Sequence, residues 1–159
     1  MRTGYSRRSV LAVLAACLVV PPAGAWAAEA RWNLSAGEWR KRLPPDRFAI
    51  LREQGTETPG SSPLDYEHRT GTYACAGCAL DLFSSVTKFE SGTGWPSFYA
   101  PLKNAVATSG DSSLGMDRTE VHCRRCDGHL GHVFDDGPRP TGLRYCMNGL
   151  ALQFHPKAG

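Results

Sequence analysis

A mostly antiparallel β domain with a small helical preface is what this 159-residue sequence predicts. Beyond Gly71 the chain is a succession of short β-like runs separated by Gly, Asp, Asn and Pro. Before Thr56 its apolar residues follow a broken helical period instead. Two C-x-x-C pairs, Cys75/Cys78 and Cys123/Cys126, add a means of clipping so small a domain together.

The helical preface starts at Ser35, which caps a short helix, with Glu38 three residues later completing a capping box. Trp39, Leu43, Phe48, Ile50 and Leu51 carry the apolar period across Pro44-Pro45. A second helix is expected from Pro45 to Gln54, with Pro45 in its first turn and Gly55 as its stop. Thr56 to Pro63 is a polar connector rich in Pro and Gly. The β-like runs are Thr72–Cys75, Leu80–Phe83, Phe98–Pro101, Ala105–Thr108, Thr119–His122, His132–Asp135 and Leu143–Phe154.

The first 27 residues are read as an export signal. Ser6-Arg7-Arg8-Ser9-Val10-Leu11 is a twin-arginine pattern, Val10 to Val20 an apolar run, and Ala25-Trp26-Ala27 a small-residue cleavage site. The apolar run falls short of the roughly 20 residues that a spanning helix needs. No stable membrane insertion is therefore expected after cleavage, although Leu14-Ala15-Ala16-Cys17 resembles a lipobox and leaves a lipid anchor through Cys17 as an alternative. Residues 28–34 form a linker and 35–156 the domain. The product is expected to work in a periplasm, with any metal loaded before export.

Signal removal also changes the charge. The whole chain has 18 Lys+Arg and 15 Asp+Glu, a net of +3. The signal holds Arg2, Arg7 and Arg8 and no acid, so the remainder is near neutral. No electrostatic footprint for nucleic acid survives. Of six cysteines, Cys17 leaves with the signal, and the odd number remaining weakens a disulfide framework.

Four thiolates in two knuckles suit one structural Zn²⁺, because a C-x-x-C turn brings two sulfurs to one side of a tetrahedron. Gly77 and Gly128 are expected to supply backbone freedom around those turns. Neither pair follows the strand-to-helix pattern of a redox dithiol. Haem attachment fails because Ala79 and Asp127, rather than His, follow the knuckles. A zinc ribbon that serves only as an interaction module remains open, as does a dithiol oxidase with metal-free knuckles.

Cys146 separates those ideas. On a strand alternate residues share a face, so Arg144, Cys146 and Asn148 point one way, followed by Leu150, Leu152 and Phe154. A cation beside a thiol favours the thiolate nucleophile, and Asn148 can hold a polar substrate oxygen. The competing reading is an inert core cysteine. In His129-Leu130-Gly131-His132-Val133-Phe134-Asp135-Asp136, residues His132, Phe134 and Asp136 share a face, and Gly131 lets the chain bring His129 nearby. Histidine suits proton delivery near neutral pH. Ser91-Gly92-Thr93-Gly94-Trp95-Pro96-Ser97-Phe98 lacks the helix and the Lys-Ser/Thr of a phosphate loop, and reads as a rigid aromatic wall beside a polar atom.

Ser91–Phe98, Gly128–Pro138 and Arg144–Asn148, in that order around two knuckles, resemble the B-type peptide-methionine (R)-S-oxide reductase family, as does Leu51–Glu57. The resemblance spans Ser35 to Phe154. It implies a compact core of two antiparallel sheets with short N-terminal helices. It further implies that Cys146 attacks a sulfoxide sulfur in oxidised protein or peptide substrates, assisted by His132 and His129. Trp95 and Phe134 would surround the methyl group, while Asp136, Arg144 and Asn148 organise polar groups and water. Loss of methionine leaves a sulfenic acid on Cys146. Many members carry a resolving cysteine where this chain has Thr93. A thioredoxin-like protein or small thiol is therefore the expected reductant. Gly60 and Gly149 stand where the family pattern suggests Phe and Ser, a difference expected to bear on substrate approach.

Overall fold

A computed structural model describes residues 32–158 of the chain. The export signal, Cys17 and most of the linker lie outside the described residues. The helices are α1 (Ala36–Arg42) and α2 (Pro45–Glu53). The strands are β1 (Gly71–Cys75), β2 (Asp81–Ser84), β3 (Lys88–Phe89), β4 (Ser97–Phe98), β5 (Val106–Asp111), β6 (Arg118–Cys123), β7 (His129–Phe134), β8 (Arg144–Met147) and β9 (Leu152–Pro156). Among the described residues no helix is long and apolar enough to cross a membrane.

The preface forms as its caps dictate. The Ser35 hydroxyl accepts from Glu38 N and the Glu38 carboxylate accepts from Ser35 N, so the capping box is complete. Helix α2 ends at Gln54 in the left-handed region (φ 54°). A Cβ on Gly55 would stand 2.9 Å from the Ala49 oxygen, so only glycine lets the chain turn off the helix there.

The expected two antiparallel sheets are present, one in the order β2-β1-β9 and the other β3-β4-β8-β7-β6-β5. Tyr73, Phe83 and Phe98 are fully buried, with Phe83 stacked on Phe98 at 4.4 Å and Tyr73 edge-on to it at 4.9 Å. Such pairs add about 0.5–1.5 kcal/mol each beyond their buried area. Met147, Leu152, Leu130 and Val121 complete the core from both sheets.

Two expectations change. The run Leu143–Phe154 is not one strand: β8 belongs to the six-stranded sheet, β9 to the three-stranded one, and a 3-10 turn over Gly149–Ala151 joins them. Buried Glu57 makes that break, because its carboxylate accepts the backbone N–H of both Gly149 and Leu150, which a continuous strand would pair elsewhere. Leu150, Leu152 and Phe154 therefore do not extend the Cys146 face. The knuckle turns also work differently than expected. The left-handed residues are Ala79 (φ 57°) and Asp127 (φ 57°), each just past the second cysteine, not Gly77 or Gly128. Gly128 matters for space: a Cβ there would lie 3.0 Å from Leu51 Cδ2 on α2.

Candidate active site

Antiparallel registry sets a row of side chains across the large sheet. Ser109 pairs with Glu120, Glu120 with His132, His132 with Cys146, and Cys146 with Ser97. Cross-strand partners share a face and sit close together. Gly131 permits the close approach of β7 and β8, since a Cβ there would overlap the Cys146 carbonyl oxygen at 2.1 Å.

A small pocket of about 130 Å³ opens over this row, lined by Thr56, Trp95, Arg118, His132, Phe134, Cys146 and Asn148 together with Gly131. Five of the residues singled out from the sequence thus meet in one cavity. A larger groove of about 700 Å³, bordered by Arg47, Glu57, Leu64, Leu150, Phe154 and His155, contains no thiol.

Each histidine has one ring nitrogen on a carboxylate. His132 Nε2 lies 2.8 Å from Asp111 Oδ2, which also takes a 2.7 Å contact from Arg118. Hydrogen bonds from Ser113 and His132 hold Asp111 far below the usual carboxylate range. An ionised carboxylate only accepts, so Nε2 carries the hydrogen and Nδ1 is left for exchange. His129 Nδ1 lies 2.7 Å from Glu120 Oε1. Burial pushes Glu120 up, but the bonds from His129 and Ser109 outweigh it and leave the carboxylate below its ordinary value. Burial lowers His129 and outweighs the pull of Glu120, so the neutral ring is favoured. Its buried Nε2 is then an acceptor with no protein partner, and the ring stands 5.5 Å from that of His132.

The walls are aromatic. Trp95 is fixed by its indole N–H, which donates to the Glu57 carbonyl at 3.2 Å. The Arg144 guanidinium lies 4.4 Å over the Phe134 ring and makes a bidentate pair with Asp136 at 2.8 and 2.7 Å. Asp136 is past the end of β7 and exposed, so it orients Arg144 from outside the pocket.

Two expectations about this face are refined by the geometry. Arg144 does pull the Cys146 thiol toward ionisation, yet burial outweighs Thr93, Arg144 and Ser97 together, and the thiol ends above its ordinary value. Asn148 is 4% exposed, and its amide is engaged with backbone. Oδ1 accepts from Glu57 N at 3.0 Å and Nδ2 donates to the Leu130 carbonyl at 3.2 Å.

Sequence reasoning passed over Glu57, Asp111, Arg118 and Glu120 as site residues. Glu57 binds three parts of the site at once: the Trp95 ring, the Asn148 amide and the turn after β8. Its partners lie 38 positions away at Trp95 and 91 to 93 away at Asn148, Gly149 and Leu150, beyond any local pattern. Glu57→Ala would orphan two backbone N–H groups at about 1–3 kcal/mol each, so a loss of about 2–6 kcal/mol in urea unfolding is expected. An unchanged midpoint would contradict this role.

The four knuckle cysteines come together at one point, all buried, their sulfurs within 4.8 Å of one another. Cys75 and Cys126 sulfurs are 3.7 Å apart, and those of Cys78 and Cys123 3.5 Å. A tetrahedral zinc with Zn–S near 2.3 Å places its sulfurs about 3.8 Å apart, whereas a disulfide requires about 2.05 Å. The donor set therefore fits a thiolate-loving metal ion. Arg52 ties α2 to this cluster by donating to the Cys126 carbonyl at 2.8 Å.

Residues 43–156 match the SelR domain family. The chain is 55% identical over 123 residues to a peptide methionine sulfoxide reductase MsrB of Leptospira interrogans, covering 77% of this chain and 94% of that protein. A protein of the same name from Bradyrhizobium diazoefficiens is 55% identical over 124 residues, 77% of this chain and 89% of the relative. One from Pseudomonas putida is 54% identical over 123 residues, 77% and 92%.

Proposed function

The chain belongs to the SelR, or MsrB, family, and from that premise we propose that it reduces methionine-R-sulfoxide in oxidised proteins through a sulfenic acid on Cys146. The observation that carries the reading is a single pocket lined by Cys146, by its cross-strand partner His132, and by the rings of Trp95 and Phe134. The aromatic walls take the methyl group, and the polar floor takes the sulfoxide oxygen. Preference for the R epimer rests on family membership.

Cys146 sulfur attacks the sulfoxide sulfur while the sulfoxide oxygen gains a proton. His132, held by Asp111 at Nε2, offers Nδ1 for that transfer. His129 accepts a hydrogen bond at Nε2 from the protonated oxygen or from water. Asn148, anchored to two backbone groups, keeps one amide hydrogen for the same oxygen. In sum, methionine sulfoxide and the Cys146 thiol become methionine and Cys146–SOH, a two-electron exchange. Burial favours the thiol form of Cys146, and the thiol proton is the one this step consumes.

An external thiol completes the cycle. It displaces the sulfenic oxygen as water to give a mixed disulfide, and a second thiol releases Cys146. The support is the cysteine inventory. Among the described residues the other four cysteines form the buried cluster, and Thr93 occupies the place beside Cys146. The cluster is assigned one structural Zn²⁺ on Cys75, Cys78, Cys123 and Cys126, which would hold β1 to β6 and α2 without entering the reaction. Twin-arginine export to a periplasm is proposed on Ser6–Leu11 and Ala25-Trp26-Ala27, with cell fractionation of the full-length chain as its check.

Zinc-loaded protein given one equivalent of R-sulfoxide peptide and no reductant tests the chemistry. Mass spectrometry is expected to find Cys146 trapped by a 1,3-diketone as sulfenic acid, with no intramolecular disulfide. A disulfide from Cys146 to a knuckle cysteine would overturn the external-thiol step.

A further inference from the structure

The loop Ser91–Pro96 reaches the nucleophile with hydroxyl groups alone, since it contains no ionisable residue and its Trp95 N–H is spent on Glu57. Thr93 Oγ1 lies 3.8 Å from Cys146 Sγ, a hydrogen-bond distance for sulfur. Ser91 Oγ stands 2.8 Å from Thr93 Oγ1 and 2.7 Å from Ser97 Oγ. Ser97 is fully buried, pairs with Cys146 across the strands, and can donate to the Trp95 carbonyl at 3.0 Å. Four groups thus form one chain, Cys146–Thr93–Ser91–Ser97, ending on a backbone carbonyl.

A hydroxyl has one hydrogen and two lone pairs, so the direction of such a chain is set by its ends. When Cys146 is a thiol, S–H donates to Thr93, Thr93 to Ser91, Ser91 to Ser97, and Ser97 to the Trp95 carbonyl. When the sulfur carries negative charge, every hydroxyl can turn the other way: Ser97 donates to Ser91, Ser91 to Thr93, and Thr93 to sulfur. No proton leaves the chain in this reversal, because each O–H only rotates.

We propose that Thr93 is a catalytic residue of the Cys146 site, its hydroxyl accepting from the thiol and donating to the thiolate, with Ser91 and Ser97 as positioning residues that let it do both. This deepens the proposed function and rests on Cys146 being the nucleophile. Hydrogen bonding to the charged form of a thiol favours that form, and this opposes the burial that otherwise keeps Cys146 protonated.

Arg144 on its own strand also pulls the thiol toward ionisation, and His132 on β7 and Arg118 on β6 line the same pocket. Behind them stand Asp111, Glu120, His129 and, on Arg144, Asp136. None of these is altered by a change at Thr93, so the hydroxyl can be tested by itself.

The test is the pH profile of Cys146 alkylation by iodoacetamide in zinc-loaded protein, which needs no sulfoxide and no reductant. Thr93→Val is expected to move the alkylation midpoint upward, slowing the reaction about tenfold at a pH below it, as loss of a hydrogen bond to a charged group implies. Thr93→Ser should restore the wild-type profile. Ser91→Ala should shift the midpoint in the same direction by less, and it keeps the proposal testable should Thr93→Val fail to fold. Superimposed profiles for wild type, Thr93→Val and Ser91→Ala would overturn the proposal. Turnover of R-sulfoxide peptide is scored separately. Its absence in wild type alongside a shifted Thr93→Val profile would sink the reductase reading and leave only the hydrogen bond from Thr93 to the Cys146 sulfur, whereas turnover with superimposed profiles would keep the reductase reading and overturn the role of Thr93.

Discussion

Stripping the metal from the folded protein, or replacing Cys123 by Ser, is expected to abolish cooperative folding near room temperature. Four buried sulfurs this close repel one another once ionised, and a divalent cation is what allows them to share one site. Structural zinc contributes about 10–16 kcal/mol of apparent binding energy in small domains, comparable with the roughly 5–15 kcal/mol that a whole domain retains on folding. The cluster also joins the ends of β1 and β6 to α2, so its loss releases both sheets and the preface together. Thermal melts by circular dichroism, with metal content measured on the same samples, are the check. Wild type should hold about one zinc per chain and melt cooperatively, whereas Cys123→Ser should hold none and show no transition. A Cys123→Ser protein that melts like wild type would remove the metal from the account of stability.

His132→Asn is expected to slow single-turnover sulfoxide reduction by about 10²–10⁴-fold, the usual worth of a positioned acid or base. Its alkylation rate at Cys146 should stay near wild type, which separates proton delivery from thiol reactivity. Asp111→Asn should fall between the two. It keeps the ring in place but removes the charge that fixes the hydrogen on Nε2. A reduction rate for His132→Asn within a few-fold of wild type would remove the histidine from the reaction.

Much of this was readable from residue order, and the remainder was hidden for physical reasons. The capping box at Ser35 and Glu38 is a local hydrogen-bond pattern, so sequence alone locates α1. The short strands announce themselves through turn residues, and the knuckles through spacing. The run Leu143–Phe154 misled because alternation continues through it, while the break is imposed by Glu57 from the other end of the domain. Gly149 fits that break closely: a Cβ there would stand 1.9 Å from Ser62 Oγ. The balance of forces on the Cys146 thiol was hidden for a related reason. Residue type supplies the cation Arg144, but burial, which outweighs it, is a property of the assembled site. Asp111 and Glu120 escaped notice because carboxylates on the exposed-looking strands β5 and β6 become histidine partners only through cross-strand registry.

The measurement that bears most directly on the central claim is single-turnover reduction of R- and S-epimer methionine-sulfoxide peptides by zinc-loaded wild type and Cys146→Ser. Wild type is predicted to yield about one methionine per protein, matching the one oxygen and two-electron oxidation that a single sulfenic acid can store, from the R epimer alone. Cys146→Ser should yield none while melting like wild type. Equal turnover by Cys146→Ser, or no turnover of either epimer by fully metallated wild type, would contradict the account and leave the chain a β domain with a buried four-cysteine cluster and a half-buried thiol.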